Sequence, residues 1–494
     1  MTSMLTHLDN ASPNPTQKLS RGDMLRTLTG IVGPNGVLHE PEDLLVYNCD
    51  ALTLVKQDPM VVVLPTTTEE VSQVLRFSHK NGIPVVPRGA GTCLSGGTLA
   101  AEDGITLCLT RMNQIDWVDV PNRRLCAQAG VTNLQITQAV SSQGYFFAPD
   151  PSSQMACTIG GNVAENSGGP HTLRHGVTTN HVLAVELVLP NGEVVWLGSS
   201  CEDQPGYDLT GLVVGSEGTL GVVTRAIVRL SKSPESVRTF LAVFDTVSEA
   251  GKAVSAIIAS GIVPVALEMM DSGFIKPVEE TYHFGLPLDA EAVLIVEMDG
   301  LMEATESEVE IATEICRQGG AREVRTAASE EERLHLWKAR KGAFAVIGRI
   351  ATNYCTQDGT VPRGRIPEML ATISDIGKKH DVRIVNVFHA GDGNMHPVLL
   401  YDERDKSLVQ RALDASYEIL KACVDFGGSI TGEHGVGVEK LGMLHLCYPE
   451  ATLRLFADLR HLFNPANLLN PGKAILAPGE KSKEELMLRP PAAL

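Results

Sequence analysis

Along the chain, short apolar runs rich in valine, isoleucine and leucine alternate with stretches in which apolar residues recur every three or four positions, patterns that predict strands and amphipathic helices respectively. "PMVVVLPTTTEEVSQVLRFSHKNGIPVVPRGAG" (59–91) reads as strand, helix and strand, with the helix opening at Thr68 and Glu69 and Glu70 in its first turn. Before it, "DMLRTLTGIVG" predicts a helix closed by glycine. Between 104 and 233 the runs "ITLCLT", "RLCAQAG", "HVLAVELVLPNGEVVWLG" and "LGVVTRAIVRL" predict strands, with one helix at "TNLQITQAVSSQG". "SKSPES" (231–236) breaks the pattern; beyond it "VRTFLAVFD", "TVSEAGKAVSAIIASG", "AVLIVEMDG" and "MEATESEVEIATEICRQGG" alternate strand and helix. The division this predicts is a polar leader and helix over 1–56, a first domain over 57–233, a second over 234–478 and a charged tail over 479–494.

With 494 residues the chain exceeds what one core usually supports, and two domains leave ample interior for a cofactor. A net charge of -18 argues against nucleic acid or an anionic membrane surface as the main partner, so an anionic substrate would need locally placed cations. The ten cysteines are scattered without a CxxC pair, which encodes neither a zinc ribbon nor an iron-sulfur cluster and fits free thiols in a reducing compartment. No apolar run reaches the length of a membrane span and the N-terminus has no signal-peptide core; a cytoplasmic location is expected.

Two features carry chemistry. Three glycine-rich segments, "PRGAGTCLSGG" (87–97), "PDPSSQMACTIGGNVAENSGG" (149–169) and "GSEGTLGVVT" (215–224), allow backbone amides to approach a pyrophosphate closely, although the Rossmann fingerprint is not met. In "VFHAGDGNMHPVLLY" (387–401) two strands joined by a Gly/Asp/Asn turn form a hairpin that brings His389 and His396 side by side. Each alone could be a satisfied core histidine.

The order of these segments resembles the FAD-binding domain of the vanillyl-alcohol-oxidase (PCMH-type) superfamily. With "FHAGDGNMHP", "TGEHGVG" and "LLNPGK", the chain from about Asp50 to Leu476 is similar to the members that oxidise 2-hydroxy acids: the flavin subunits of bacterial glycolate oxidases above all, beside D-lactate and D-2-hydroxyglutarate dehydrogenases. The resemblance implies an α+β fold, a two-subdomain FAD-binding domain under a cap with an antiparallel sheet and helices on one side. It implies that Arg88, Gly89, Ala90, Gly91, Thr92, Ser95 and Gly96 wrap the pyrophosphate. Pro149, Asp150, Ser153, Thr158, Gly160, Gly161, Asn162, Asn166 and Gly169 would line the pyrophosphate and flavin, Glu217, Gly218, Gly221 and Val223 complete the adenine and ring contacts, and Asn470 return to the flavin.

The same resemblance places a divalent metal (Zn, Mn or Fe) on His389, His396 and Glu433 and matches Arg340 to the arginine that clamps a carboxylate by a bidentate fork; His434, beside Glu433, is the candidate general base because an imidazole titrates near operating pH, and Asn394 is a candidate for holding substrate or a ligand. Gln357 stands where 2-hydroxyglutarate enzymes carry a lysine, which favours a small monocarboxylate. An iron-sulfur subunit and a second flavin-domain subunit are implied as partners, with any membrane association running through them. Two other readings stay open: a metallohydrolase using the histidine-carboxylate set, and a non-catalytic flavoprotein scaffold.

Overall fold

A computed structural model describes residues 19–201, 205–477 and 480, so the first 18 residues of the expected leader and all of the tail except Glu480 lie outside the described residues. The helix Arg21–Val32 starts at Ser20, whose hydroxyl accepts the Asp23 amide, and stops at Gly33 with φ 78°. The βαβ unit is Val61–Val63, Thr68–Asn81 and Val85–Arg88, with Thr67 as the capping residue. Both strands run parallel to Ile105–Cys108, which lies between them. Beside this small sheet stands a five-stranded antiparallel one in the order Ile115–Asp119, Arg124–Gln128, Val222–Arg229, Val182–Val188, Val194–Gly198.

The second domain is built on a large antiparallel sheet whose central strands are Ser236–Phe244, Ala292–Gly300, Ala266–Asp271 and Arg383–His389. Contrary to the expectation of helices on one side, both faces of this sheet are covered. The helices Val247–Ala259, Met302–Gln318, Ile366–His380 and Lys406–Asp425 pack on the face that carries Phe240, Leu294 and Met269; Ser272–Tyr282 and Glu330–Gly342 cover the face that carries Leu241, Val293 and Met270. The cause is legible in "AVLIVEM", buried at every position: a strand that is apolar on both faces needs cover on both. Last, the chain returns to the first domain, where Leu469 bridges Val85 and extends the small sheet by one residue.

Candidate functional site

A cavity of about 580 Å³ opens between the domains. The first domain contributes Arg88 to Thr92, Ser153, Thr158, Gly160, Gly161, Asn162, Glu217, Gly218, Gly221 and Val223; the second contributes Arg340, His389, His396, Glu433 and His434. Thr158 caps the helix Ile159–Glu165 and thereby turns Gly161 toward the cavity. A Cβ on Gly161 would meet no described protein atom nearer than Thr158 Oγ1 at 3.4 Å, so any larger side chain there would project into the cavity. On the same wall the amide nitrogen of Asn162 and Oε2 of Glu165 are buried without a hydrogen-bond partner among the described residues. A backbone-lined cradle with unpaired polar atoms fits a dinucleotide held by few charges.

The second wall is made of charged side chains. His389 ends the strand Arg383–His389, and His396 follows two residues after Asn394, where the returning strand pairs with it. Their Nε2 atoms converge on one oxygen: 3.3 Å from His389 and 3.1 Å from His396 to Glu433 Oε1, with His434 Nε2 at 4.0 Å. The other ring nitrogens face acceptors, His389 Nδ1 at 2.7 Å from Glu268 and His396 Nδ1 at 3.2 Å from the Gln357 carbonyl. A carbonyl only accepts, so His396 donates to it from Nδ1, which fixes the ring with Nε2 toward the Glu433 carboxylate. Such an arrangement calls for a cation between them, and imidazoles oriented through the second nitrogen are the usual surroundings of a bound metal. Burial works against a charged His389, yet Glu268 and Glu433 outweigh it and hold the ring well above its ordinary range. Burial would raise Glu433, and His389 and His396 hold it well below.

Ligand atoms of Asp358, His396, Glu433 and His434 also lie within 4.8 Å of one another. Asp358 is the weaker candidate because its carboxylate is already committed. It accepts the backbone amides of Gly432 (3.0 Å), Glu433 (3.2 Å) and His434 (2.8 Å), the Thr431 hydroxyl (2.6 Å) and Lys440 (3.5 Å). It is the organiser that bends "TGEHG" so that Glu433 and His434 both reach the cavity. His434 stacks on His396 (centroids 5.0 Å apart, 4° between planes), and its Nδ1 has no partner among the described residues. Burial lowers it to about 4, against the pull of Asp358, leaving an imidazole that is neutral and able to accept a proton at ordinary pH.

Arg340 is buried and lines the cavity, but it does not stand alone there: its Nε donates to Glu268 Oε2 at 2.7 Å. Glu268 therefore joins the candidate clamp to the candidate ligand His389. The terminal guanidinium nitrogens have no hydrogen bond to the described residues and remain for a carboxylate.

Eight expected site residues do not reach the cavity wall. Ser95 donates to the His434 carbonyl (3.0 Å), and Gly96 packs on Val438, so this pair holds the "TGEHGVG" segment. Pro149 gives its carbonyl to Asn133, Asp150 turns to His171, Asn166 caps the helix end and accepts the Thr179 amide, and Gly169 packs on Asp150. Asn394 lies under Gly432, where a Cβ would stand 2.6 Å from its side chain. Asn470 donates to the carbonyls of Gly97 and Glu217 and so returns to the loops around the cavity. Glu217, though on the wall, binds the amides of Val436 (2.7 Å) and Gly437 (2.8 Å) and ties the domains together. Gln357, just past the strand Asn353–Thr356, bonds Glu439 (3.0 Å) and is not on the cavity wall, whereas Tyr354 and Thr356 are.

Residues 233–474 match the family described as FAD linked oxidases, C-terminal domain, and residues 59–198 match the FAD binding domain family. The glycolate oxidase subunit GlcD of Escherichia coli (strain K12) is 44% identical over 95% of this chain and 93% of its own length. A D-lactate dehydrogenase of Archaeoglobus fulgidus is 34% identical over 84% of this chain and 91% of its own. The solved structure of p-cresol methylhydroxylase with substrate bound shares the fold, with a TM-score of 0.78 at 16% identity over 94% of this chain and 99% of that one.

Proposed function

The chain belongs to the family of FAD-linked oxidases, and on that premise we propose that it oxidises a small 2-hydroxy acid, glycolate or D-lactate, to the 2-oxo acid with the help of a divalent metal. The observation that carries the reading is the convergence of three imidazoles on Glu433 at the wall of a glycine-lined cavity, one helix away from the buried Arg340. When bound, FAD supplies a two-electron acceptor and the metal a Lewis acid for the 2-hydroxyl.

The chain's own residues do the rest. His389, His396 and Glu433 would hold the metal, with Glu268 and the Gln357 carbonyl fixing the two rings. Arg340 grips the substrate carboxylate with the two nitrogens that Glu268 leaves open, and so aligns C2. His434 takes the hydroxyl proton on a buried, unpaired imidazole nitrogen. Beyond Arg340 the cavity is bounded by Phe344, Ala345, Tyr354 and Thr356, and the neighbouring cation, Lys341, is shared with Asp150 (3.9 Å) and the Trp337 ring. That supports a monocarboxylate over 2-hydroxyglutarate.

Electrons then pass to a partner, in this reading an iron-sulfur subunit beside a second flavin-domain subunit. No helix among the described residues is long and apolar enough to cross a membrane. Anaerobic addition of glycolate, D-lactate and D-2-hydroxyglutarate to the yellow protein tests the proposal. The first two bleach the flavin absorbance at millimolar concentration or below; failure of every 2-hydroxy acid to bleach it would leave the scaffold reading.

A further inference from the structure

The seam between the domains holds a histidine that the reaction does not use. His171 lies in the first domain with Nδ1 2.8 Å from Asp150 Oδ2 and Nε2 3.3 Å from Glu297 Oε1 on the central cap strand. Two carboxylates offer only acceptors, so both ring nitrogens donate and the ring is an imidazolium. Asp150 is followed directly by Pro151, Ser152 and Ser153, which line the cavity.

Glu297 carries the connection onward. Its other oxygen accepts from the Thr239 hydroxyl, from Arg333 Nη1 at 3.1 Å and from the Trp337 indole at 2.6 Å. Arg333 and Trp337 stand one turn apart on the helix Glu330–Gly342, and the next turn of that helix bears Arg340 and Lys341 on the cavity wall. The circuit closes on itself: the Trp337 ring lies 5.3 Å from the His171 ring, and Lys341 Nζ is 3.9 Å from Asp150. Along the same seam Arg174 and His175 meet Asp299 at 3.1 and 3.7 Å.

From this geometry, and resting on the reading of Arg340 as the carboxylate clamp, we infer that His171 is a positioning residue: it locks loop 149–153 to Glu297 and so fixes the helix that holds Arg340 over the cavity. Burial opposes the charge on the ring, but Asp150 and Glu297 raise it to about 10, so the lock persists across ordinary pH.

The test uses the FAD-loaded full chain with Trp117 and Trp196 changed to Phe, leaving Trp337 as its one tryptophan. An imidazolium against the indole quenches its fluorescence; the quenching should hold until the pH approaches about 10 and be absent at all pH in His171→Gln. In His171→Gln the KM for the 2-hydroxy acid should rise on the order of tenfold with kcat changed less, and FAD content should stay normal, because the clamp is displaced by a fraction of an ångström and not removed. Combined with Arg340→Lys, the two losses should fall short of multiplying, as they act on one contact. Glu297→Gln provides the same readouts should His171→Gln fail to fold. Unchanged KM despite lost quenching, or losses that multiply fully, would overturn the inference. If no 2-hydroxy acid reduces the flavin, the proposed reaction fails instead, and the positioning role is then decided by the affinity for oxalate, read from the flavin absorbance: weakened about tenfold in His171→Gln if the lock positions Arg340, unchanged if it does not.

Discussion

The two walls of the cavity are made by opposite means. The first-domain wall is backbone and small residues, Gly89 to Thr92, Gly160, Gly161 and Gly218, and its polar contacts come from the shape of the chain. The cap wall is side chains, Arg340, His389, His396, Glu433 and His434, whose charges are buried and held by partners far away in sequence. In the proposed reading one wall gives space and amides to a large anion, and the other places a few charges around a small one. Cofactor retention and chemistry should therefore be separable by mutation.

The largest effect is expected on the backbone wall. Gly161→Val puts a branched side chain into the cavity, since no described protein atom is close enough to hinder it on the other side. The variant should fold and be colourless, with FAD content near zero by absorbance. Yellow, active protein would show that the cofactor does not lie against Gly161.

On the cap wall the next largest effect is expected from Glu433→Ala or His389→Ala. Either should empty the proposed metal site and cut turnover by roughly a hundredfold or more while the flavin stays bound, since even residues behind a metal's ligands typically affect affinity 10- to 100-fold. Metal analysis beside flavin absorbance measures both quantities on one sample. Parallel loss of both would collapse the comparison of walls. A smaller effect belongs to Arg340→Lys, which keeps the charge but loses both the fork and the Nε bond to Glu268. It should lower kcat/KM by roughly ten- to a hundredfold, about 1.5–3 kcal/mol, seen as slower flavin reduction in stopped flow.

What the sequence made legible follows the same division. The glycine segments and the histidine hairpin are local signals: "TIGGN" needs nothing else to announce a close approach, and His389 and His396 are brought together by one turn. Glu268 and Glu297 each stand inside a run of apolar residues, and their histidine partners are 121 and 126 residues away. A carboxylate in the runs "PVALEMM" and "AVLIVEM" was the available signal, because an unpaired buried charge is too costly to keep. Asp358 was in view within "YCTQDGTVP", but its task of gathering three successive amides exists only after folding. Gln357 shows the same limit: its side chain bonds Glu439, 82 residues away, a partner that only folding reveals.

The smallest expected effect concerns the seam, and it distinguishes a lock made of ions from one made of shape. The imidazolium of His171 has a pKa raised from 6.5 to about 10, so its stabilisation is complete below pH 6.5 and is lost as the pH climbs through about 10. Glu297 is shifted the other way: burial would raise it, but His171, Thr239 and Trp337 hold it at about 2 instead of 4.5, so its stabilisation is complete above pH 4.5 and is lost as the pH falls toward about 2. Both contributions are whole only between about pH 4.5 and 6.5. Glu297→Gln preserves the outline of the side chain and removes the charge. Its melting temperature should lie a few degrees below that of the parent in that window, and the gap should narrow as the pH rises through about 10. Thermal melts of the FAD-loaded pair at stepped pH measure the gap. A gap that stays constant from acid to alkaline pH would mean that packing around Trp337, and not the ion pair, holds the cap to the flavin domain.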